Sequence, residues 1–269
     1  MSGFSIDWLD LREDADRRAR NSDLREQARQ WLEDSQCSTP GPVVVDLGAG
    51  TGSTLRALVL PGQLPLIWRL VDHDHTLLGE ARRRHGSTQQ VETCAADLSD
   101  IEKLPLDGAR LLTASALFDL VSAEFIDALA RVLKTQCQQS PVGLYAALNY
   151  DGSTQWTPAH PLDDTVLNVF NQDQRQDKGF GPALGPEAGN TLYRVFTQAG
   201  FEVYSASSPW LLDGGDQQMV EALIVGIASA VKGSPLLDAN ALEDWVQFRR
   251  SKAASGTCTV GHTDLLALP

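Results

Sequence analysis

The spacing of hydrophobic positions changes along this chain and divides it into two parts. Between residues 4 and 34, apolar side chains recur at three- and four-residue steps among many charges, which predicts helix. The segment Asn21–Asp23 predicts a break into two helices, with Ser22 or Asp23 capping the second. The stretch 38–42, rich in proline and glycine, is typical of a linker. Residues 1–41 are therefore predicted to form a helical lid ahead of a main domain that spans residues 42–269.

From residue 42 onward, short apolar runs alternate with helical patterns. The predicted strands are Val43–Leu47, Leu66–Val71, Val91–Ala96, Arg110–Ala114 and Val142–Leu148. The predicted helices between them are Thr54–Leu60, Thr76–Arg84 with Asp74 as its cap, and a helix that Ser122 caps and that ends near Leu133. Strands and helices that alternate with short connections predict an α/β fold with a doubly wound parallel sheet.

The alternation is interrupted after the fifth strand. Residues 151–185 are rich in proline and glycine and contain one helical pattern at 164–172, which predicts an insertion at about residues 151–190. Beyond it, the pattern predicts a helix at 191–198 ended by Gly200, a strand at 201–206, and helices at 217–231 and 242–250. Residues 257–268 are predicted to form the last strand. Whether the apolar helix 217–231 is core or an interface, and therefore the oligomeric state, stays open.

Composition and charge narrow the classes of function. Hydrophobic residues make up 42% of the chain and charged residues 21%, as in a folded globular protein. The 22 Lys and Arg against 35 Asp and Glu give a formal net charge of −13, which argues against a nucleic-acid partner. No apolar run is long enough for a membrane span, and the N-terminus lacks a signal-peptide pattern. The four cysteines lack the spacing of a zinc or redox motif, so we expect a cytoplasmic protein without a metal.

The most informative segment is Val43–Ser53, in which a buried strand is followed by three glycines and then by a helix. Glycines allow a sharp turn and a close approach of the backbone to a ligand, and the helix N-terminus behind them favours a negatively charged group. The spacing Gly48, Gly50, Gly52 is GxGxG. A loop that binds a dinucleotide requires GxGxxG, but Ser53 stands at its third glycine, and the lysine of a P-loop is absent. An oxidoreductase that uses NAD is therefore disfavoured.

Three further segments mark the ends of the next strands. Asp72 ends the second strand, where a carboxylate can accept hydrogen bonds from ribose hydroxyls, although such a residue can also cap a helix. Asp97 and Leu98 end the third strand, where the Asp97 carboxylate can accept a hydrogen bond from an adenine amino group and Leu98 can pack on the ring. The alternative for Asp97 is a purely local role in its loop. Small residues at Ser115 and Ala116 follow the fourth strand.

In this order and spacing, the four segments resemble motifs I to IV of the class I S-adenosylmethionine-dependent methyltransferases, over residues 43–150 most clearly. The resemblance implies a seven-stranded, mostly parallel sheet with a reversed last strand, and S-adenosylmethionine as cofactor with S-adenosylhomocysteine as product. It implies that glycines 48, 50 and 52 frame the methionine part and that Asp46 orients their loop. It also implies cofactor contacts from Asp72 to the ribose, from His73, Asp97 and Leu98 to the adenine, and from Ser115 and Ala116 to the methyl-donor pocket. For His73, an exposed loop histidine remains an alternative.

The acceptor is predicted to be a small molecule, hydroxylated or anionic. Members that methylate bases or proteins commonly carry a [DNS]PP[YFW] segment after the fourth strand, and this chain has Ser115–Asp119 instead. The predicted function is methyl transfer to this acceptor by in-line displacement. The alternative from a different class is a non-catalytic protein that keeps the cofactor pocket as a sensor or assembly module.

Candidate catalytic residues follow the fifth strand. Tyr150 and Asp151 come directly after it, and His160 stands between two prolines, where a rigid loop can present a base. His262 is a weaker candidate, because a histidine in the last strand is more often structural. In the N-terminal helices, arginines such as Arg12 and Arg20 can grip an anionic acceptor, or can simply form a solvated helix face.

Overall fold

The computed structural model describes residues 4–34, 41–59, 66–137 and 140–269. The predicted linker at 38–42 and the predicted helix end after Leu60 lie partly or wholly outside these ranges, as does Cys37. The other three cysteines, Cys94, Cys137 and Cys258, are free thiols. None of the helices in the described ranges combines the length and the apolar character that crossing a membrane requires.

The described residues form helices and strands in the predicted alternation. The strands are β1 (Val43–Leu47), β2 (Ile67–Asp72), β3 (Gln90–Ala95), β4 (Ala109–Ser115), β5 (Gly143–Thr157), β6 (Glu202–Ser207), β7 (Trp210–Leu212) and β8 (Thr257–Leu268). The helices are α1 (Ile6–Ala19), α2 (Ser22–Glu33), α3 (Ser53–Leu58), α4 (His75–His85), α5 (Ala123–Gln136), α6 (Asp163–Asp173), α7 (Ala188–Ala199), α8 (Gln217–Val231) and α9 (Ala239–Lys252).

Most predicted helix ends are confirmed, and one cap is wrong. Asp74 caps α4, Ser122 caps α5, and Gly200 ends α7 in the left-handed conformation, as predicted. The second helix is capped by Asn21, not by Ser22 or Asp23: the Asn21 side chain accepts hydrogen bonds from the backbone N–H groups of Asp23 and Leu24 at 3.1 Å each. An N-cap side chain bonds to donors two and three residues ahead, and Asn21 is the residue placed to do so.

The strands form one mixed sheet with the order β3-β2-β1-β4-β5-β8-β6. The neighbours from β3 to β5 pair in parallel, whereas β8 is antiparallel to β5 and β6. This confirms the predicted doubly wound sheet with a reversed last strand. Among the described residues the sheet has eight strands where seven were expected, because the three-residue β7 pairs with the beginning of β8. So short a strand leaves little periodicity to detect.

Helices cover both faces of the sheet. On one face, α5 and α7 pack against alternate strand residues such as Val45, Leu112 and Ala146. On the other face, α2, α3 and α4 pack against the intervening residues, such as Val44 and Tyr145. Helix α2 is therefore a layer of the main hydrophobic core, while α1 lies against β7 and α8. The division of the chain at residues 41 and 42 stays a prediction.

The fifth strand is much longer than predicted. Residues 151–157 continue β5 and pair with Thr257–Val260 of β8, after a register shift between Tyr150 and Thr154. Together with β7 they form a three-stranded extension of the sheet, which we call the arm. The prediction that irregular structure begins at residue 151 is wrong because the partner strand that orders this segment lies about a hundred residues further along the chain.

A separate hydrophobic cluster packs on the arm. It contains buried residues from α6, α8 and α9, including Val166, Ile224 and Trp245. The helix predicted at 217–231 is α8 with the same bounds, and five of its apolar side chains are buried against the arm and its helices: Met219, Val220, Ile224, Ile227 and Val231. Residues of the predicted insertion are thus ordered and share a hydrophobic core with α8 and α9.

The turn between α1 and α2 is fixed to the centre of the sheet by Asp264 of β8. The Asp264 carboxylate is fully buried and accepts the backbone N–H of Asn21 at 2.8 Å and that of Leu148 at 2.8 Å. The Tyr145 hydroxyl lies 3.3 Å from the same carboxylate. Leu148 adopts a positive φ of 57°, which a leucine rarely does, so Asp264 also holds a kink within β5.

We expect Asp264→Ala to lower the free energy of unfolding by about 3–5 kcal/mol, because removing one partner of a buried charged network leaves the other groups unpaired. Urea unfolding followed by circular dichroism measures this change. The matched control is Asp244→Ala on the exposed surface of α9, for which we expect a change within about 0.5 kcal/mol. Equal effects of the two substitutions would contradict the role given to Asp264.

Candidate functional site

The order of the sheet reverses between β1 and β4, and this creates a crevice at their carboxyl ends. In open α/β sheets, ligands bind at such a point. The loop Gly48–Gly52 follows β1, and Ser115 and Ala116 lie at the end of β4, so the two segments face the same crevice. The topology therefore brings together the residues predicted from motifs I and IV.

The backbone of this loop requires glycine. Gly48, Gly50 and Gly52 have φ values of 62°, 54° and 87°, in the left-handed region. A Cβ atom at Gly50 would lie 3.1 Å from a methyl group of Leu9 in α1, and one at Gly52 would lie 3.0 Å from the His85 ring. Helix α1 thus lies directly over the loop, which is largely buried beneath it.

Asp72 at the end of β2 holds the glycine loop in place. Its Oδ2 accepts the backbone N–H of Gly50 at 2.9 Å, and its Oδ1 accepts that of Asp74 at 3.0 Å. The Nδ1 atom of His73 lies 3.3 Å from the same Oδ1. Asp74, and not Asp72, accepts the hydrogen bonds that begin α4. Asp72 is therefore at the crevice, where its carboxylate retains lone pairs for further donors.

The two residues predicted to contact adenine differ in exposure. Leu98 is buried at the end of β3, whereas Asp97 is exposed. Hydrogen bonds from the backbone and hydroxyl of Ser99 lower the pKa of Asp97 below its usual value. The loop role considered for Asp97 is thus present in the structure, and contact with adenine stays a prediction.

Asp46 at the end of β1 is buried and has one unpaired oxygen. Its Oδ1 accepts the hydroxyl of Thr113 at 2.7 Å, while its Oδ2 has no partner among the described residues. Burial raises the pKa of Asp46 to about 6, although the hydrogen bond from Thr113 and the charge of Arg20 both act to lower it. A buried carboxylate with a free oxygen can accept a hydrogen bond from a cationic ligand.

Arg20, at the end of α1, faces Asp46 across the crevice. One nitrogen, Nη2, donates to Ser115 Oγ at 3.0 Å and to Ser53 Oγ at 3.3 Å. The other two, Nε and Nη1, are buried and lack partners among the described residues. Burial acts to lower the pKa of Arg20, but Tyr145, Asp16 and Asp264 raise it, so the guanidinium stays charged. The sequence marked Arg20 only as one of several arginines in the N-terminal helices; nothing local distinguishes it.

Ion pairs along both edges of α1 hold it over the crevice. Arg84 of α4 pairs with Asp10 at 2.6 Å, and Arg56 of α3 pairs with Glu13 at 2.8 Å. On the other edge, Arg18 pairs with Asp216 at 2.7 Å. The described conformation is therefore one in which α1 covers the glycine loop.

The structure brings together two of the three predicted catalytic residues. Tyr150 lies at the end of β5 with its hydroxyl 2.9 Å from Asn171 Oδ1, and burial raises its pKa to about 12. Asp151 is exposed and accepts hydrogen bonds from the backbone and hydroxyl of Ser153. His160 lies beyond the far end of the arm, where its Nδ1 accepts the backbone N–H of Leu162. Its ring packs on Phe248 of α9, 4.9 Å between centroids.

One aspartate with a buried carboxylate oxygen was not singled out by the sequence. Asp119 lies in the turn after β4, and its Oδ1 is buried without a partner among the described residues. Burial raises the pKa of Asp119 to about 6, against the effects of its own backbone N–H and of the charge of Arg12. No motif or periodicity distinguishes this aspartate from those that cap helices or serve turns.

Solved structures with a similar fold exist, but the sequence matches no family model and no curated protein. The solved structure of the YcgJ protein from Bacillus subtilis is similar at a TM-score of 0.51 and 14% identity, and the match covers 92% of this chain and 98% of that one. The strand order and the reversed β8 are those expected for the class I methyltransferases, whose motifs the sequence resembles. The chain has the class I methyltransferase fold.

A second solved structure is similar at a lower score. The cyclopropane synthase MmaA2 from Mycobacterium tuberculosis has a TM-score of 0.49 and 11% identity, with 98% of this chain and 94% of that chain covered. What the class I methyltransferase fold of this chain does must therefore be argued from its own residues.

The raised pKa of Asp46 predicts a specific dependence of stability on pH. A folded-state pKa near 6, against 3.8 for an ordinary aspartate, stabilises the fold below pH 4, and this contribution is lost as the pH rises through 6. The loss amounts to about 3 kcal/mol. We expect Asp46→Asn to remove it, so that stability falls less steeply between pH 4.5 and 8 than in the wild type.

Urea unfolding across this pH range measures both proteins. Asp119 titrates in the same range but is present in both, so the difference between the two curves reports on Asp46. Parallel curves would show that folding does not raise the pKa of Asp46.

Proposed function

We propose that this chain is an S-adenosylmethionine-dependent methyltransferase that acts on a small-molecule acceptor. The observation that carries the proposal is a pair of complementary, unpartnered charges at the glycine loop. Arg20 presents two buried donors without acceptors, and Asp46 presents one buried acceptor without a donor. An α-amino acid group, with its carboxylate and its ammonium, matches both at once.

The rest of the crevice suits the remaining parts of that ligand. The left-handed glycines let the loop approach it closely, and Asp72 is placed to accept a hydrogen bond from ribose hydroxyls. Leu98 offers a buried apolar surface for an adenine ring. Arg20, Asp46, Asp72 and Leu98 would therefore hold S-adenosylmethionine along the carboxyl ends of β1 to β4.

The bound cofactor would supply an electrophilic methyl group on a sulfonium, which needs no further activation. The protein then has to align the acceptor and exclude water, because proximity and orientation supply much of the rate in such a displacement. Helix α1 excludes water, since it covers the glycine loop and is fixed at both edges by ion pairs. The groups that follow β4 and those around Tyr150 in β5 are placed to align the acceptor.

Several features support a small acceptor. The net charge of −13 disfavours a nucleic acid, and no basic patch offsets it in the sequence. Helix α1 packs against β7 of the arm and against α8, and a site covered in this way favours a small group over a folded protein surface. We also propose that the protein acts in the cytoplasm, because its cysteines include three free thiols.

Calorimetric titration with four compounds tests the proposal. We expect S-adenosylmethionine and S-adenosylhomocysteine to bind with micromolar dissociation constants, and NAD not to bind. We expect 5′-methylthioadenosine, which lacks the carboxylate and the ammonium, to bind at least about 10-fold more weakly, because charged hydrogen bonds are worth about 1.5–3 kcal/mol each. Equal affinity for S-adenosylhomocysteine and 5′-methylthioadenosine would contradict the roles of Arg20 and Asp46.

A substitution at β2 tests the ribose contact. We expect Asp72→Ala to weaken binding of S-adenosylhomocysteine by about 1–3 kcal/mol, through lost charged hydrogen bonds to the ligand and lost support of the glycine loop. Calorimetry measures the affinity, and Asp107→Ala at an exposed turn is the matched control. Unchanged affinity in Asp72→Ala would remove Asp72 from the site.

A further inference from the structure

We propose that the methyl acceptor is a small amine, bound as its ammonium to the carboxylate of Asp119. This inference rests on the proposed function and assigns the acceptor half of the same site. It departs from the expectation of an anionic or hydroxylated acceptor, for reasons that lie in the charges around Asp119.

The carboxylate is held by a rigid segment. Asp119 follows β4 directly after Phe118, which is fully buried. The carbonyl of Asp119 accepts the backbone N–H of Gly185 at 2.8 Å, and that of Val121 accepts the N–H of Leu184 at 2.8 Å. These two bonds tie the turn to the segment that precedes α7. Asp119 is therefore fixed in the turn after β4, where its charge acts on Tyr150 and the charge of Arg12 acts on it.

An unpaired oxygen at this position calls for a donor. Nearly all buried polar atoms in proteins have a hydrogen-bond partner, and a buried carboxylate oxygen without one is costly. Asp119 Oδ1 has none among the described residues. The N–H groups of an ammonium would provide it.

Arg12, the arginine whose charge acts on Asp119, is already paired with a different carboxylate. Arg12 of α1 donates to Asp16 through Nε at 2.8 Å and through Nη2 at 3.2 Å. Asp16 also accepts the indole N–H of Trp210 at 2.9 Å, and the Arg12 guanidinium stacks on the Trp210 ring, 5.2 Å from its centroid. Arg12 is thus held in place by Asp16 and Trp210, and it makes no hydrogen bond to Oδ1 of Asp119. Asp119 remains as the unpaired charge, and its sign selects a cation.

The same arginines argue against an anionic acceptor. Arg12 is engaged by Asp16, and the two free nitrogens of Arg20 face the cofactor half of the crevice beside Ser53 and Ser115. Neither arginine donates a hydrogen bond to Oδ1 of Asp119. An acceptor carboxylate would instead meet the charge of Asp119 itself, which repels it.

Aromatic rings cluster around Tyr150, the tyrosine on which the charge of Asp119 acts. Tyr150, whose pKa the charge of Asp119 helps to raise, packs edge-on against His262 at 6.2 Å and against Phe170 at 5.9 Å. Trp210 lies 4.7 Å from His262. Burial and the charge of Arg12 lower the pKa of His262 to about 3, so its imidazole is neutral and does not repel a cation. Aromatic faces stabilise ammonium groups.

The reaction balances with Asp119 as proton acceptor. The ammonium gives one proton to the carboxylate, and the freed nitrogen lone pair forms the new bond to the methyl carbon as the bond from that carbon to sulfur breaks. The products are the methylated amine and S-adenosylhomocysteine, and the proton passes from Asp119 to solvent. The raised pKa of Asp119, about 6, makes it a better proton acceptor than an ordinary aspartate.

The test compares matched acceptors on the intact protein. With S-adenosylhomocysteine bound, we expect calorimetry to show binding of 2-phenylethylamine, and no binding of 2-phenylethanol or 3-phenylpropionate, which share its skeleton but lack the cation. With S-adenosylmethionine, a panel of small primary and secondary amines is assayed for release of S-adenosylhomocysteine and for methylated product by mass spectrometry. Methylation of at least one amine and of none of the matched alcohols and acids supports the proposal.

Asp119→Asn removes the charge and the proton acceptor with little change of shape. We expect it to reduce kcat/KM for the amine about 10- to 100-fold, as the loss of a charged hydrogen bond implies, and to leave the affinity for S-adenosylmethionine unchanged. The control is Asp127→Asn, the same change at an exposed position on α5, with wild-type kinetics expected. Urea unfolding verifies that both variants fold.

The outcomes separate this inference from the proposed function. If S-adenosylmethionine does not bind, the proposed function fails. If it binds but alcohols or acids are methylated in place of amines, or no amine in the panel binds or reacts, the amine assignment is overturned while the proposed function stands. Wild-type kinetics in a folded Asp119→Asn would remove Asp119 from the acceptor site. The amine-to-alcohol comparison uses the unaltered protein, so it decides the question even if the variant does not fold.

Discussion

The candidate site depends on one buried carboxylate that does not belong to it. Asp264 lies in the reversed strand β8 and binds the turn between α1 and α2 through the N–H of Asn21 and the kink in β5 through that of Leu148. Its charge also acts on Arg20, one residue before Asn21. A single residue in the last strand therefore fixes the turn that follows α1, the bend in β5, and part of the charge environment of the guanidinium at the crevice.

This arrangement explains why the reversed strand matters for the site as well as for the sheet. Because β8 runs against β5, Asp264 lies where β5 reaches the crevice, while the opposite end of β8 pairs with the arm. The buried charges near it include Asp16, Asp46 and Arg20, which interact electrostatically. Such a network is costly to bury, and groups left unpaired within it mark places where a ligand completes the pairing.

The sequence predicted what is encoded locally. The run Val43–Leu47 and the glycines after it define strand, turn and helix within a dozen residues, and the later strand ends follow from the same alternation. What it could not predict depends on partners far along the chain. The extension of β5 requires Thr257–Val260, the cap at Asn21 is fixed by Asp264, and the two unpaired charges at Arg20 and Asp119 are visible only once distant elements pack. His160 illustrates the limit, because the length of the arm decides where it lies.

Helix α1 carries Arg12, whose charge acts on Asp119, and it is followed directly by Arg20, whose charge acts on Asp46; the two arginines are about 12 Å apart at 1.5 Å of rise per residue. A helix moves as a rigid rod, so any displacement that changes one of these positions changes the other. We therefore expect the affinities for the two ligands to be thermodynamically linked. The linkage is reciprocal: whatever factor the first ligand contributes to binding of the second, the second contributes to binding of the first.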